Sequence, residues 1–172
     1  VFLAAAPYAV MVVMDVSATG YGLYFLLSTV GYLGGTLLAN RYSQRVGIDR
    51  MVRIGTGLAV LTTAIVVILM FAGIWHPLAV FIPITVMGVA NGMALPNASA
   101  GAISVYPDLA GAASGLTSFI QLGISAVFAQ VSGSLQNGTP HPLALYMFGA
   151  AILAWVSFEI FKRAEAAETL HS

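Results

Sequence analysis

The residues of this chain with chemistry to offer are amides, hydroxyls and aromatics set inside long apolar runs. The most regular set is Ser114, Thr117, Ser118, Gln121, Ser125, Phe128 and Ser132, at steps of three, four and seven. On an α-helix that spacing makes one stripe. Turned toward lipid, the stripe would leave hydrogen-bonding groups unsatisfied. It predicts either helix–helix hydrogen bonds, worth about 0.6 kcal/mol each, or a water-filled cavity. Gln121 is its largest polar group. A second set is Met87, Asn91 and Asn97, interleaved with Pro83 and Pro96. On an ideal helix Asn91 and Asn97 point about 120° apart, so they share a site only where Pro96 bends the axis. A third set is aromatic and thioether: Tyr21, Tyr24, Phe25, Ser28 and Tyr32 along one face, and Tyr8, Met11 and Asp15 along another. Such surfaces suit varied apolar cations and neutral compounds. The plainer reading of Tyr21 and Tyr24 is an interfacial aromatic belt.

Other chemistries find no support. There is no cysteine, so disulfides, thiolate nucleophiles and cysteine metal sites drop out. His76, His141 and His171 have no metal-ligand spacing. No nucleophile–base pair, phosphate loop or paired carboxylate is recognisable, so neither an enzyme nor a cofactor is expected. Asp15 and Asp108 fall at the ends of apolar runs, and Glu159 stands four residues before Arg163, the spacing of a local helical ion pair. The net charge is zero, which gives nucleic acid nothing to bind.

The elements that must position these residues follow from composition. Of 172 residues, 59% are hydrophobic and 7% charged, with a mean hydropathy of +0.94. Soluble domains carry about 25% charged residues, so lipid must be the solvent for much of this surface. Charges and turn clusters divide the chain into helices at about 1–14, 20–40, 52–74, 78–104, 110–134 and 143–161, followed by a tail at 162–172. The dividing turns are Gly73 to Pro77 and Gln136 to Pro142. The runs lack the alternation of barrel strands. The first run, Val1 to Met14, is about a third shorter than a span needs, which reads as a helix truncated at its start. All six Lys and Arg lie in the Arg41–Arg53 loop and at Lys162-Arg163, separated by four crossings. An even count puts both clusters on one side, and the positive-inside rule makes that side cytoplasmic. His76 and His141 then face outward.

Glycines four apart occur at Gly31/Gly35, Gly88/Gly92 and Gly111/Gly115. This spacing lets helix backbones approach closely, whether as static packing or as a moving contact.

The stretch Gly35-Thr36-Leu37-Leu38-Ala39-Asn40-Arg41-Tyr42-Ser43-Gln44-Arg45-Val46-Gly47 resembles the cytoplasmic loop motif of the major facilitator superfamily. Asn40 stands where that motif has an acidic residue and Ser43 where it has glycine, so this looks like the degenerate copy between helices 8 and 9. Phe2-Leu3-Ala4-Ala5-Ala6-Pro7-Tyr8 is similar to the end of helix 7 in the bicyclomycin/chloramphenicol-resistance branch of the drug:proton antiporters. Pro96-Asn97-Ala98, Pro107-Asp108-Leu109-Ala110-Gly111-Ala112-Ala113-Ser114-Gly115 and Gln121 resemble its helix 10–11 region.

The resemblance implies an all-α, polytopic C-terminal six-helix bundle, helices 7 (partial) to 12, in a bacterial inner membrane. It implies export of small amphiphilic compounds against protons by alternating access. The coupling groups would lie mostly in the N-terminal half, the expected partner. Helices 7, 8, 10 and 11 would line the cavity, with helices 9 and 12 as scaffold. The expected substrate contacts are Gln121, Asn91, Asn97, Met87, Phe128, Tyr8 and Phe25, and the expected loop-motif residues Gly35, Asn40, Arg41 and Arg45. The rival readings are a metabolite or sugar exporter of the same superfamily, and a membrane partner protein that transports nothing.

Overall fold

The computed structural model describes residues 6–104, 107–134, 139 and 141–169. Among them every regular element is helical. A π-helical segment, Tyr8–Val13, leads into α1 (Ala18–Val46). Then follow α2 (Ile48–Phe71), α3 (Pro77–Ser104), a 3-10 turn at Pro107–Leu109, α4 (Ala110–Ser134) and α5 (His141–Thr169). All five α-helices are long and apolar enough to cross a membrane. The chain is therefore all-α and polytopic. Within lipid each backbone N–H must find a carbonyl in its own segment, so even β-branched runs such as Ile65-Val66-Val67-Ile68 are helical.

Local chemistry sets the ends. Ser17 caps α1, its Oγ accepting from the Gly20 N–H at 3.1 Å. Gly47 ends it at φ 91°, its N–H donating to the Ser43 carbonyl at 2.9 Å. Beyond α2, Gly73 turns at φ 77° and the Trp75 indole N–H donates to the Met70 carbonyl at 3.1 Å.

Three sequence expectations change here. Arg41 and Arg45 lie on α1, not in a loop, and the only break in the basic segment is Gly47. A 29-residue helix is about 43 Å long and outruns the roughly 30 Å hydrocarbon core, so its last turns emerge without unwinding. For the same reason α5 continues to Thr169, through residues expected to form a tail. Glu159 also pairs differently. It meets Arg53 of α2 rather than Arg163, with Arg53 Nε to Oε1 at 2.6 Å and Nη2 to Oε2 at 3.2 Å. Asp49 pairs with Lys162 at 2.7 Å, and Lys162 also meets Glu165. These pairs join the start of α2 to the end of α5, so both basic clusters stand at one end of the bundle. At the other end His141 packs on the rings of Phe71 and Trp75, with centroids 4.6 and 5.8 Å away.

The bundle is organised around α3, which packs on α1 and on α2, while α2 packs on α5. Half of its membrane-length window is buried, against none of that of α4. The α1–α3 seam is made by two of the glycine pairs. A Cβ on Gly31 or Gly35 would collide with the Thr85 or Val89 carbonyl, and one on Gly88 would stand 2.6 Å from the Ser28 carbonyl. These pairs are packing surfaces. The third, Gly111/Gly115, has nothing near enough to meet an added Cβ.

Candidate ligand cleft

The face of α3 between its two packing partners forms the floor of a cleft of about 570 Å³. Ile84, Met87, Asn91 and Ala94 supply that floor. Phe25, Ser28 and Tyr32 of α1 form one wall. The other comes from Gly55, Thr56 and Ala59 of α2 with Met147, Ala151 and Ala154 of α5. The volume is that of small-molecule sites.

The positions follow from helical spacing. Phe25, Ser28 and Tyr32 recur at three and four, as do Ile84, Met87, Asn91 and Ala94, so each set shares a helix face. Gly55 lets α2 approach α3, because a Cβ there would lie 2.7 Å from the Ala90 carbonyl. Phe25 is held by Tyr21, its ring centroid 6.1 Å away. Tyr21 and Tyr24 both pack on the fully buried Phe81, with centroids 5.9 and 5.3 Å away. They form an internal aromatic cluster where the sequence offered an interfacial belt.

The cleft has a mild polarity and no charge. Its hydroxyls bond to their own helices: Ser28 donates to the Phe25 carbonyl at 2.7 Å and Thr56 to the Val52 carbonyl at 2.9 Å. That arrangement satisfies the proton and leaves oxygen lone pairs to accept. Among the described residues the Asn91 side chain has no hydrogen-bond partner. In a medium of low polarity an unpaired amide is costly, so a ligand or water that bonds it is favoured.

The other expected site residues distribute as follows. Phe25, Met87 and Asn91 line this cleft. Phe128 lines a second one of about 540 Å³ between α4 and α5, beside His141 and Tyr146. Ala150 lines both, so the two abut. Asn97 is 5% exposed and donates to the Met93 carbonyl of its own helix at 2.8 Å. It faces a third cleft, toward Asp49 and Lys162. Asn91 and Asn97 therefore do not share a site, and α3 runs unbroken through Pro96. Gln121 is exposed on α4 and lines none of the three clefts. Tyr8 is half-buried on the π-helical segment and also lines none. The wider π turn takes Tyr8, Met11 and Asp15 off the common face that α-helical spacing gives them. Of the motif residues, Gly35 is buried at the α1–α3 seam, and Asn40, Arg41 and Arg45 are exposed at the basic end.

Residues from α2 and α5 were expected to be scaffold, yet they form a wall of the cleft. The signal was present in the spacing of Gly55 with Ala59 and of Ala150 with Ala154, small residues four apart on one face.

Over 154 residues the chain is 25% identical to the bicyclomycin resistance protein homolog of Haemophilus influenzae. The match covers 88% of this chain and 38% of that protein, so the chain spans well under half the length of its relative. No family model and no solved structure matches. With five membrane-length helices, the chain is a multi-pass membrane protein.

Proposed function

We propose that this chain is the C-terminal half of a major facilitator transporter in a bacterial inner membrane. It exports small amphiphilic compounds in exchange for protons. The observation that carries this reading is the similarity to a bicyclomycin resistance protein homolog across nearly the whole chain. The glycine motif at Gly35 to Gly47 and an uncharged cleft containing Asn91 support it. In this reading α3 is the core of one wall, and the polar face of α4 turns to a water-filled path shared with the N-terminal half. Substrate is enclosed as the halves rock about the midplane. The basic end of the bundle faces the cytoplasm.

The test is efflux by the complete protein in cells stripped of their own exporters. Accumulation of several amphiphilic antibiotics and dyes should fall, and a protonophore should restore it. Unchanged accumulation across the panel would reject the reading, and efflux that ignores the protonophore would reject its proton coupling. Orientation is checked by cysteines at Ser43 and Asn137, which should label from opposite sides of the membrane; labelling from one side would contradict it.

A further inference from the structure

We infer that the cleft over α3 is a binding site for a neutral, elongated ligand carrying one hydrogen-bonding head. Its size limit is set by the small residues of α5. This deepens the transporter reading and rests on it for the identity of the cargo. It also moves recognition onto α2 and α5, outside the set of helices expected to line the path.

Three features of the cleft converge. No lining residue carries a charge, so an ionic ligand would lose hydration without a counter-charge. One amide, Asn91, is unpaired among the described residues and can donate and accept at once. Around it stand the apolar surfaces of Phe25, Met87 and Met147. The head is thus placed at Asn91 and the body along the aromatic and thioether wall. The hydroxyl oxygens of Ser28 and Thr56, their protons already given to their own helices, can accept from a donor on that head.

The α5 wall determines what fits. Ala150, Ala151 and Ala154 present methyl groups only, and the cleft exists because nothing larger stands there. Ala154 is exposed, so a longer side chain has room to extend without entering the packed α2–α5 contact. In a close-fitting apolar pocket one added methylene changes affinity by about 10- to 200-fold. Ala154→Leu adds three carbons.

The probe is N-phenyl-1-naphthylamine, a neutral fluorescent amphiphile with a single N–H donor, titrated into the complete purified protein in detergent. Saturable binding is expected. Ala154→Leu should weaken it at least about tenfold, and Asn91→Ala by about 2- to 10-fold, the value of one hydrogen bond. Thermal unfolding of each variant is recorded, and Asn91→Gln, which keeps the amide, provides a second variant expected to retain more affinity than Asn91→Ala. Benzyltriethylammonium, a cation no larger than the probe, should compete poorly.

Saturable binding unchanged in both Ala154→Leu and Asn91→Ala overturns the inference, as does the absence of saturable binding to the wild type. Displacement by phospholipid with no effect of Asn91→Ala also overturns it, because the cleft would then hold an acyl chain. Efflux is measured separately. Loss of probe binding in the variants of a protein that exports nothing keeps the site and removes the transport reading. Efflux with unaltered binding in the variants keeps the transport reading and removes the site.

Discussion

The α1–α3 seam and the α4 helix are both built from glycine motifs and short polar residues, and they end in opposite situations. At the seam, Gly31 and Gly35 face Thr85 and Val89, while Gly88 and Gly92 face Ser28 and Tyr32, so two backbones meet with no side chain between. On α4, Gly111 and Gly115 meet nothing. Leu116, Phe119 and Ile120 are exposed on one face, and Ser114, Ser118, Gln121 and Ser125 on another. The spacing is the same in both places. What differs is a matching motif on a neighbour: Gly88/Gly92 complements Gly31/Gly35, whereas Gly111/Gly115 has no counterpart within the described bundle. A small-residue motif becomes an interface only when a second backbone is brought to it. In the transporter reading the seam is a rigid wall and α4 a surface that waits for the other half.

A large side chain should affect the two motifs very differently. Gly35→Leu forces a Cβ into the Val89 carbonyl, and should destabilise by about 3 kcal/mol or more, or abolish folded protein. Gly115→Leu, with open space around it, should change stability by less than about 0.5 kcal/mol in the same chain. Thermal unfolding in detergent measures both, and equal losses would erase the distinction.

The two faces of α4 should meet different solvents. In the complete protein, cysteines at Ser118 and Ser125 should react with a water-soluble maleimide, and cysteines at Leu116 and Phe119 should not, because maleimide needs a hydrated thiolate. Equal labelling of the two faces would show that the stripe does not line water.

A smaller effect separates the amides. Asn91→Ala should change the ranking of exported compounds, with losses of about 0.5–1.5 kcal/mol for those that bond the amide. Gln121→Ala should change the ranking only if α4 turns its polar face to the substrate path. Rankings unaltered in both, at full expression, would remove both residues from recognition.

The smallest effect is expected at the basic end. Arg53→Ala or Glu159→Ala breaks a pair that is partly exposed, with Arg53 at 54% and Glu159 at 23%, so solvent screens it. A double-mutant cycle should return a coupling of about 0.5 kcal/mol. A coupling near zero would leave the Asp49–Lys162 pair as the ionic link between α2 and α5.

Composition and run length are enough to set the medium and the elements. A chain with so few charges cannot clothe itself for water, and within lipid the backbone must close its own hydrogen bonds, so all-α and membrane-spanning follow from composition and run length. The turn at Gly73 to Pro77 and the glycine pairs of the seam were legible because their causes are local. So was the shared face of Phe25 with Ser28 and of Met87 with Asn91, since helical spacing alone fixes it. Which faces meet was decided by the tertiary structure. Periodicity cannot say that Glu159 reaches Arg53, 106 residues away, in place of Arg163 one turn along. Nor can it say that Asn97 turns back to the Met93 carbonyl and leaves Asn91 alone. The wall from α2 and α5 depends on α3 standing between its neighbours, where glycines and alanines leave a gap that larger side chains would have filled. In lipid no hydrophobic drive selects partners, so close shape fit does, and shape fit is a property of two surfaces that neither helix carries in its own sequence.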